Sequence, residues 1–333
     1  MEIKKVKIIC EIASAHGGDL SKLKELISAA NETKSDYFKL QIFNYESLVA
    51  KENKSFSDLK KIELSLDDWH DALIYAQKLE TKVILEVYDR KSLAFSNDYN
   101  FISGYKVPTA DLVDLSFINE IAAKGKNVFL AIGGANQYEI SAAIECFNLF
   151  SSPSPVLMHG IQSFPTLLED SMLNKIKWVE NTFKLEVGYA DHIDAEESEL
   201  SRTISCMAIA AGATVIEKHI TLNRADKGYD YYSALNPGEF NAFVSHIRKV
   251  ELALGEPSGE ILNDAEIEYR NKMKKFAVAN GRIEKGARLD SVDLMYQRTS
   301  HAGLTALQIN EKKNLRFLDS IDSGTVLLES MIG

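Results

Sequence analysis

The chain has few cysteines, no long hydrophobic run and no surplus of basic residues. Its three cysteines, Cys10, Cys146 and Cys206, are scattered, odd in number and outside any CxxC pattern. That excludes a disulfide framework and a cysteine-ligated zinc site, and fits a reducing compartment. No stretch approaches the roughly 20 apolar residues of a membrane span. The apolar run at the N-terminus is too short for a signal peptide, so the expectation is a cytoplasmic protein with no membrane partner. With 38 basic against 48 acidic residues the formal net charge is −10. The chain therefore lacks the general basic footprint of a nucleic-acid binder, and an anionic ligand must be met by a few placed cations.

What is present is ordinary for a folded protein: 333 residues, 45% hydrophobic and 26% charged. That length suits one large domain and one small one. Over the first 255 residues, strand-like runs alternate with helical periodicity. The expected strands are Val6–Ile12, Tyr37–Phe43, Lys82–Tyr88, Gly104–Pro108, Asn127–Ile132, Pro155–Ile161, Lys184–Tyr189 and Thr214–Thr221. The helical segments between and after them are Leu23–Asn31, Leu66–Leu79, Leu115–Ala123, Tyr138–Phe147, Leu167–Val179, Glu197–Ala211 and Pro237–Leu254. Asn136 with Glu139 reads as a capping box, and Asn236-Pro237 as a helix start. Eight such units in about 250 residues favour a closed (β/α)8 barrel, a TIM barrel, over an open doubly wound sheet.

The rhythm breaks near Leu254-Gly-Glu-Pro257, which divides the chain into a barrel over 1–257, a linker over 258–275 and a small β-rich domain over 276–333. In the last part Arg282-Ile-Glu-Lys-Gly286 is echoed by Ser320-Ile-Asp-Ser-Gly324. The echo points to two related halves.

Candidate chemistry gathers at the ends of the expected strands. His192 and His219 each close an apolar run beside an acidic residue, in consecutive units. A single strand-end histidine is ordinarily just hydrogen-bonded. Two at equivalent places converge on one point and suit a catalytic divalent metal with open positions better than a closed structural site. Lys39 and Lys106 sit inside apolar runs, where an inward ammonium calls for an anion; the outward alternative lays the stem along a helix. Glu11 ends the first strand ahead of Ala15-His16-Gly17-Gly18, a rim on which a ligand can approach backbone. Asp111 could move a proton, orient a sugar hydroxyl or merely cap a helix. Gly133-Gly134 could offer amides to an anion or simply turn the chain, and His159 reads as a core histidine. The loop Asn223–Ser233, rich in polar and aromatic residues, reads as a lid.

Taken together, Glu11-Ile…His16-x-Gly, Phe-Lys39-x-Gln41, Tyr-Lys106-x-x-Thr109, Gly-x-x-Asp191-His192, Ile-Glu-Lys-His219-x-Thr and Gly228-x-Asp230 resemble the sialic acid synthase family. These enzymes condense phosphoenolpyruvate with an N-acylated hexose into nine-carbon 2-keto sugar acids. The resemblance implies a C-terminal antifreeze-like (SAF) domain. It also implies a divalent ion, manganese or else magnesium or cobalt, on His192 and His219. Glu11, Asp111, His219 and Asp230 take catalytic roles by the same resemblance. Lys39, Lys106, Thr109, Gln162, Phe164 and Arg298 contact phosphoenolpyruvate and an N-acyl hexosamine, Arg298 from the partner subunit of a domain-swapped homodimer. The chain departs from the family pattern at Ala131, Ala190, Gln162 and Phe164, Asp111 and Ala15. Two alternatives stay open: a catalytically inactive sugar-acid-binding relative, and a barrel synthase with another aldose acceptor.

Overall fold

The computed structural model describes residues 5–150, 152–163, 165–255 and 262–333. The chain divides into two compact units, Met1–Gly255 and Glu256–Gly333. In the first, strands β1 (Lys7–Glu11), β2 (Tyr37–Ile42), β3 (Val83–Val87), β4 (Ile102–Val107), β5 (Asn127–Ala131), β6 (Val156–His159), β7 (Val187–Asp191) and β8 (Val215–Ile220) run parallel in chain order. β1 pairs with β8 and closes the barrel, while a two-residue strand β9 (Ala234–Leu235) lies against the end of β8. The strands are wholly or almost wholly buried, as continuous apolar runs covered on both faces should be.

Side chains alternate across this wall. Ile9, Tyr37, Ile84, Phe129, Val156, Met158 and Val215 pack as a separate apolar cluster inside the barrel. The opposite faces join the helices in the larger core, for example Leu23, Leu26, Ile27 and Ala30 of helix Leu20–Glu32 at helical spacing. Two residues further along the inward rows stand Glu11, Lys39, Glu86 and Glu217, so the same parity that fills the floor places charges above it.

Local signals behave as expected at Asn136 and Asn236, where both capping boxes form. Of the boundaries that differ, two have a visible local cause. The expected strand at Lys184 begins only at Val187, because Lys184 adopts φ 56 and ψ 35 as the left-handed cap of helix Asn174–Phe183. That helix starts later than Leu167 because a 3-10 turn at Leu168–Asp170 and a positive φ at Met172 precede it. Helix Arg90–Phe95, after the third strand, is only six residues long.

In the second unit, helix Asp264–Met273 buries none of its side chains. Beyond it β10 (Lys275–Ala279) pairs antiparallel with β11 (Leu294–Arg298). The echoed segments face one another: Ile283 and Ile321 form an antiparallel bridge with N–H···O distances of 2.8 and 2.9 Å. Gly286 and Gly324 take matching φ values of 79 and 82. Ala277, Leu289, Phe317 and Leu327 sit in its small core. The end of the expected barrel at 257 and the start of the linker at 258 lie outside the described residues.

A charged cavity at the strand ends

The C-terminal ends of the barrel strands enclose a cavity of about 170 Å³ lined by Glu11, Ser14, Lys39, Gln41, Glu86, Tyr88, Lys106, Gln162, His192, Glu217, His219 and Asp230. Seven of the expected site residues therefore come together here: Glu11, Lys39, Lys106, Gln162, His192, His219 and Asp230. Thr109 and Asp111 lie in the 3-10 turn after β4 and do not line the cavity, and Arg298 is exposed on β11 of the second unit. Phe164 lies outside the described residues.

The imidazoles of His192 and His219 lie with ring centroids 5.2 Å apart. His192 Nδ1 is 2.9 Å from the Ile161 carbonyl oxygen, a contact that places the ring proton on Nδ1 and the lone pair on Nε2. Burial pushes the His192 pKa down to about 4. Burial, then the neighbouring His192, push His219 well below the usual histidine value. Both rings are thus neutral at pH 7, the state a metal ligand needs. Among the described residues no group of three or more His, Cys, Asp or Glu is arranged around a common metal point. The pair by itself fits an ion that keeps several positions for water or substrate.

The lysines are engaged. Lys39 Nζ contacts Glu11 Oε2, Glu86 Oε2 at 2.6 Å and Glu217 Oε1 at 3.2 Å, while Lys106 Nζ lies 2.5 Å from the same Glu217 oxygen. All five side chains are at most 3% exposed. Burial lowers the Lys39 pKa against the opposing pull of Glu217 and Glu86. Burial also opposes the charge on Lys106, but Glu217 and Glu86 hold it above the usual lysine value. Glu217 in turn is held far below the carboxylate range by Lys106 and Lys39, despite its burial. Three carboxylates thus face two ammonium groups.

Glu86 and Glu217 are among the lining residues that the sequence reading does not select as site residues. A lone carboxylate in Val83-Ile-Leu-Glu-Val87 carries the same signal as Lys39 in its own strand, an ionisable group on the inward parity of an apolar run. Gly133 is closely packed: a Cβ there would collide with the carbonyl oxygen of Gly160. His159, as expected, is a core histidine, its Nε2 2.9 Å from the Ser171 carbonyl oxygen.

Asp230, at φ 58, has its pKa raised by burial, against the Ser14 N–H and Lys39. Asp111 has its carboxyl raised to about 6 by burial, then by Asp114 and Glu86. Among the described residues no helix is long and apolar enough to cross a membrane.

The NeuB family pattern matches residues 26–259 of the chain. An uncharacterized protein of Methanocaldococcus jannaschii is 32% identical over 292 residues, 87% of this chain and 84% of its own length. The N,N'-diacetyllegionaminic acid synthase of Campylobacter jejuni is 27% identical over 93% of this chain and 95% of its own length. The crystal structure of an N-acetylneuraminic acid synthetase from Leptospira borgpetersenii, in complex with citrate, superposes with a TM-score of 0.73 at 27% identity. It covers 81% of this chain and 92% of its own.

Proposed function

The chain belongs to the NeuB family, and we propose that it condenses phosphoenolpyruvate with the open-chain form of an N-acylated hexose, giving a nine-carbon 2-keto sugar acid and phosphate. One observation carries the reading: a histidine pair, two lysines and Glu11 meet in a single buried cavity at the strand ends of the barrel. The names of the relatives, synthases of legionaminic and N-acetylneuraminic acid, support the same class of product.

In this reading His192 and His219 hold a divalent ion, manganese first, with magnesium or cobalt as alternatives. When bound, the ion supplies Lewis-acid polarisation of the sugar aldehyde. Lys39 and Lys106 take the phosphate and carboxylate of phosphoenolpyruvate as point charges, with Glu217 giving up the contacts it now makes to both. C3 of phosphoenolpyruvate forms a bond to the aldehyde carbon, charge develops at C2, water adds there, and the C–O bond to phosphate breaks. Glu11 handles a proton beside the reacting atoms, and Asp230 and Asp111 assist proton transfer or hold the sugar. Thr109, Gln162 and Phe164 contact the substrates. The second unit is an antifreeze-like domain whose Arg298 reaches the acyl end of the sugar from the partner subunit of a domain-swapped dimer.

The test is inorganic phosphate release from phosphoenolpyruvate with Mn2+ across a panel of N-acyl hexosamines, beside His219→Ala. Release with one sugar, lost in the variant, is the expected outcome. Absence of release with every sugar, together with absence of phosphoenolpyruvate binding in a calorimeter, would remove the proposal in favour of a binding protein.

A further inference from the structure

Glu86 lines the cavity and is given no part in the proposed chemistry. It is fully buried on β3, register partner of Gln41 on one side and Lys106 on the other. Its Oε2 accepts from Lys39 Nζ at 2.6 Å and from Gln41 Nε2 at 3.1 Å. Its Oε1 is buried with no hydrogen-bond partner among the described residues, although the residue lines the cavity. A buried carboxylate oxygen without a donor is costly, so the site is complete only when a ligand brings one. The two proposed substrates differ in this respect. Ionised phosphoenolpyruvate carries only acceptor oxygens, whereas an N-acyl hexose carries hydroxyls and an amide N–H.

Position favours the same assignment. β3 stands four strands from β7 in the ring of eight, so Glu86 faces the histidine pair across the barrel. Its charge is felt by Tyr88 and Asp111, next to and beyond its own strand end, and by both lysines. A molecule held between the histidines and Glu86 spans the cavity.

We infer that Glu86 is a specificity-determining contact for the acceptor sugar, accepting a hydrogen bond from a hydroxyl or N–H on Oε1 while Oε2 keeps Lys39 and Gln41 in place. The inference rests on the condensation proposed above.

Glu86→Gln tests it. The amide oxygen turns to Lys39 and Gln41, and an NH2 replaces the charged acceptor that met the sugar. The unmodified protein and the variant are compared by phosphate release at varied acceptor and by calorimetric titration with phosphoenolpyruvate alone. The KM for the acceptor should rise about tenfold or more, the weight of a hydrogen bond to a charged group, while phosphoenolpyruvate binds as well or better. An acceptor KM within about twofold of the parent, or a parallel weakening of phosphoenolpyruvate binding, makes Glu86 only a support for Lys39 and overturns the assignment. Should the glutamine variant not fold, Glu86→Asp keeps the charge opposite Lys39 but withdraws the oxygen by one methylene. The same rise in acceptor KM is then expected, and its absence overturns the assignment. If the unmodified protein neither releases phosphate with any sugar nor binds phosphoenolpyruvate, the condensation itself fails and the assignment with it. Turnover by the unmodified protein with an unmoved acceptor KM in the variant sinks the Glu86 contact alone.

Discussion

Asp191 and Lys218 are register partners on β7 and β8, and their side chains meet 3.3 Å apart on the outer face of the wall whose inner face carries His192 and His219. Both are completely buried. Lys218 Nζ donates to the Ile193 carbonyl at 3.0 Å, and Asp191 Oδ1 accepts from the Ile193 N–H at 2.8 Å, so the pair grips the peptide that follows His192 from both sides. Ser205 Oγ donates to the remaining carboxylate oxygen at 2.8 Å. Lys218→Met leaves Asp191 buried and uncompensated, at an expected cost of about 3–5 kcal/mol. Replacing both by Met and Leu should cost less than the single change. Urea unfolding of the three variants checks the order, and a double variant worse than Lys218→Met would contradict it.

The histidine pair predicts a metal site built on two imidazoles. His192→Ala and His219→Ala should each weaken Mn2+ binding by about tenfold or more, in the range seen for losing support at a metal centre. Electron paramagnetic resonance titration of free Mn2+ reads this without any turnover. Equal affinity in the parent and both alanine variants would place the ion elsewhere.

Lys106 predicts a difference between two conservative-looking substitutions. Its ammonium lies 2.5 Å from Glu217 Oε1 within a cavity of about 170 Å³, with little room for a guanidinium. Lys106→Met should abolish measurable phosphoenolpyruvate binding and lower stability by about 3 kcal/mol, because three buried carboxylates then face the single ammonium of Lys39. Lys106→Arg keeps the charge but should restore stability better than binding. Calorimetry and thermal unfolding on the same samples separate the two effects.

The barrel is readable from the sequence because each strand is an apolar run closed by punctuation, and Asn136 and Asn236 announce their helices by local hydrogen bonds three residues long. The histidine pair is readable for a related reason: both members end their strands. The partners of the lysines are another matter. Lys39 meets Glu86 from 47 residues away and Glu217 from 178 residues away, contacts made by closure of the barrel and by no local pattern. Parity would have put Glu86 and Glu217 on the inner face, but nothing local says which ammonium each would hold. The start of β7 is missed because Lys184 takes a left-handed conformation that glycine would have announced.

Asp111 gives a pH prediction. Its carboxyl is raised to about 6 by burial, then by Asp114 and Glu86, from an ordinary value of 3.8. Its Oδ2 is buried with no hydrogen-bond partner among the described residues. The folded state thus binds this proton more tightly than the unfolded chain does. Folding is penalised while the group is ionised in both states, and the penalty is relieved as pH falls from about 6 towards 4. Asp111→Asn removes the charge at every pH. The variant should therefore be more stable than the parent at pH 8, by on the order of 1–2 kcal/mol once partial exposure is allowed for. The gap should close near pH 4. Urea midpoints at the two pH values decide it, and a gap that persists or widens on acidification would show that the carboxylate is stabilised where it sits. Activity gives an independent reading of the same group. If Asp111 serves as a proton donor to the sugar, its rise to about 6 places an alkaline limb in the rate profile, with activity falling as pH rises through that value. The asparagine variant should lose that limb while keeping its affinity for phosphoenolpyruvate.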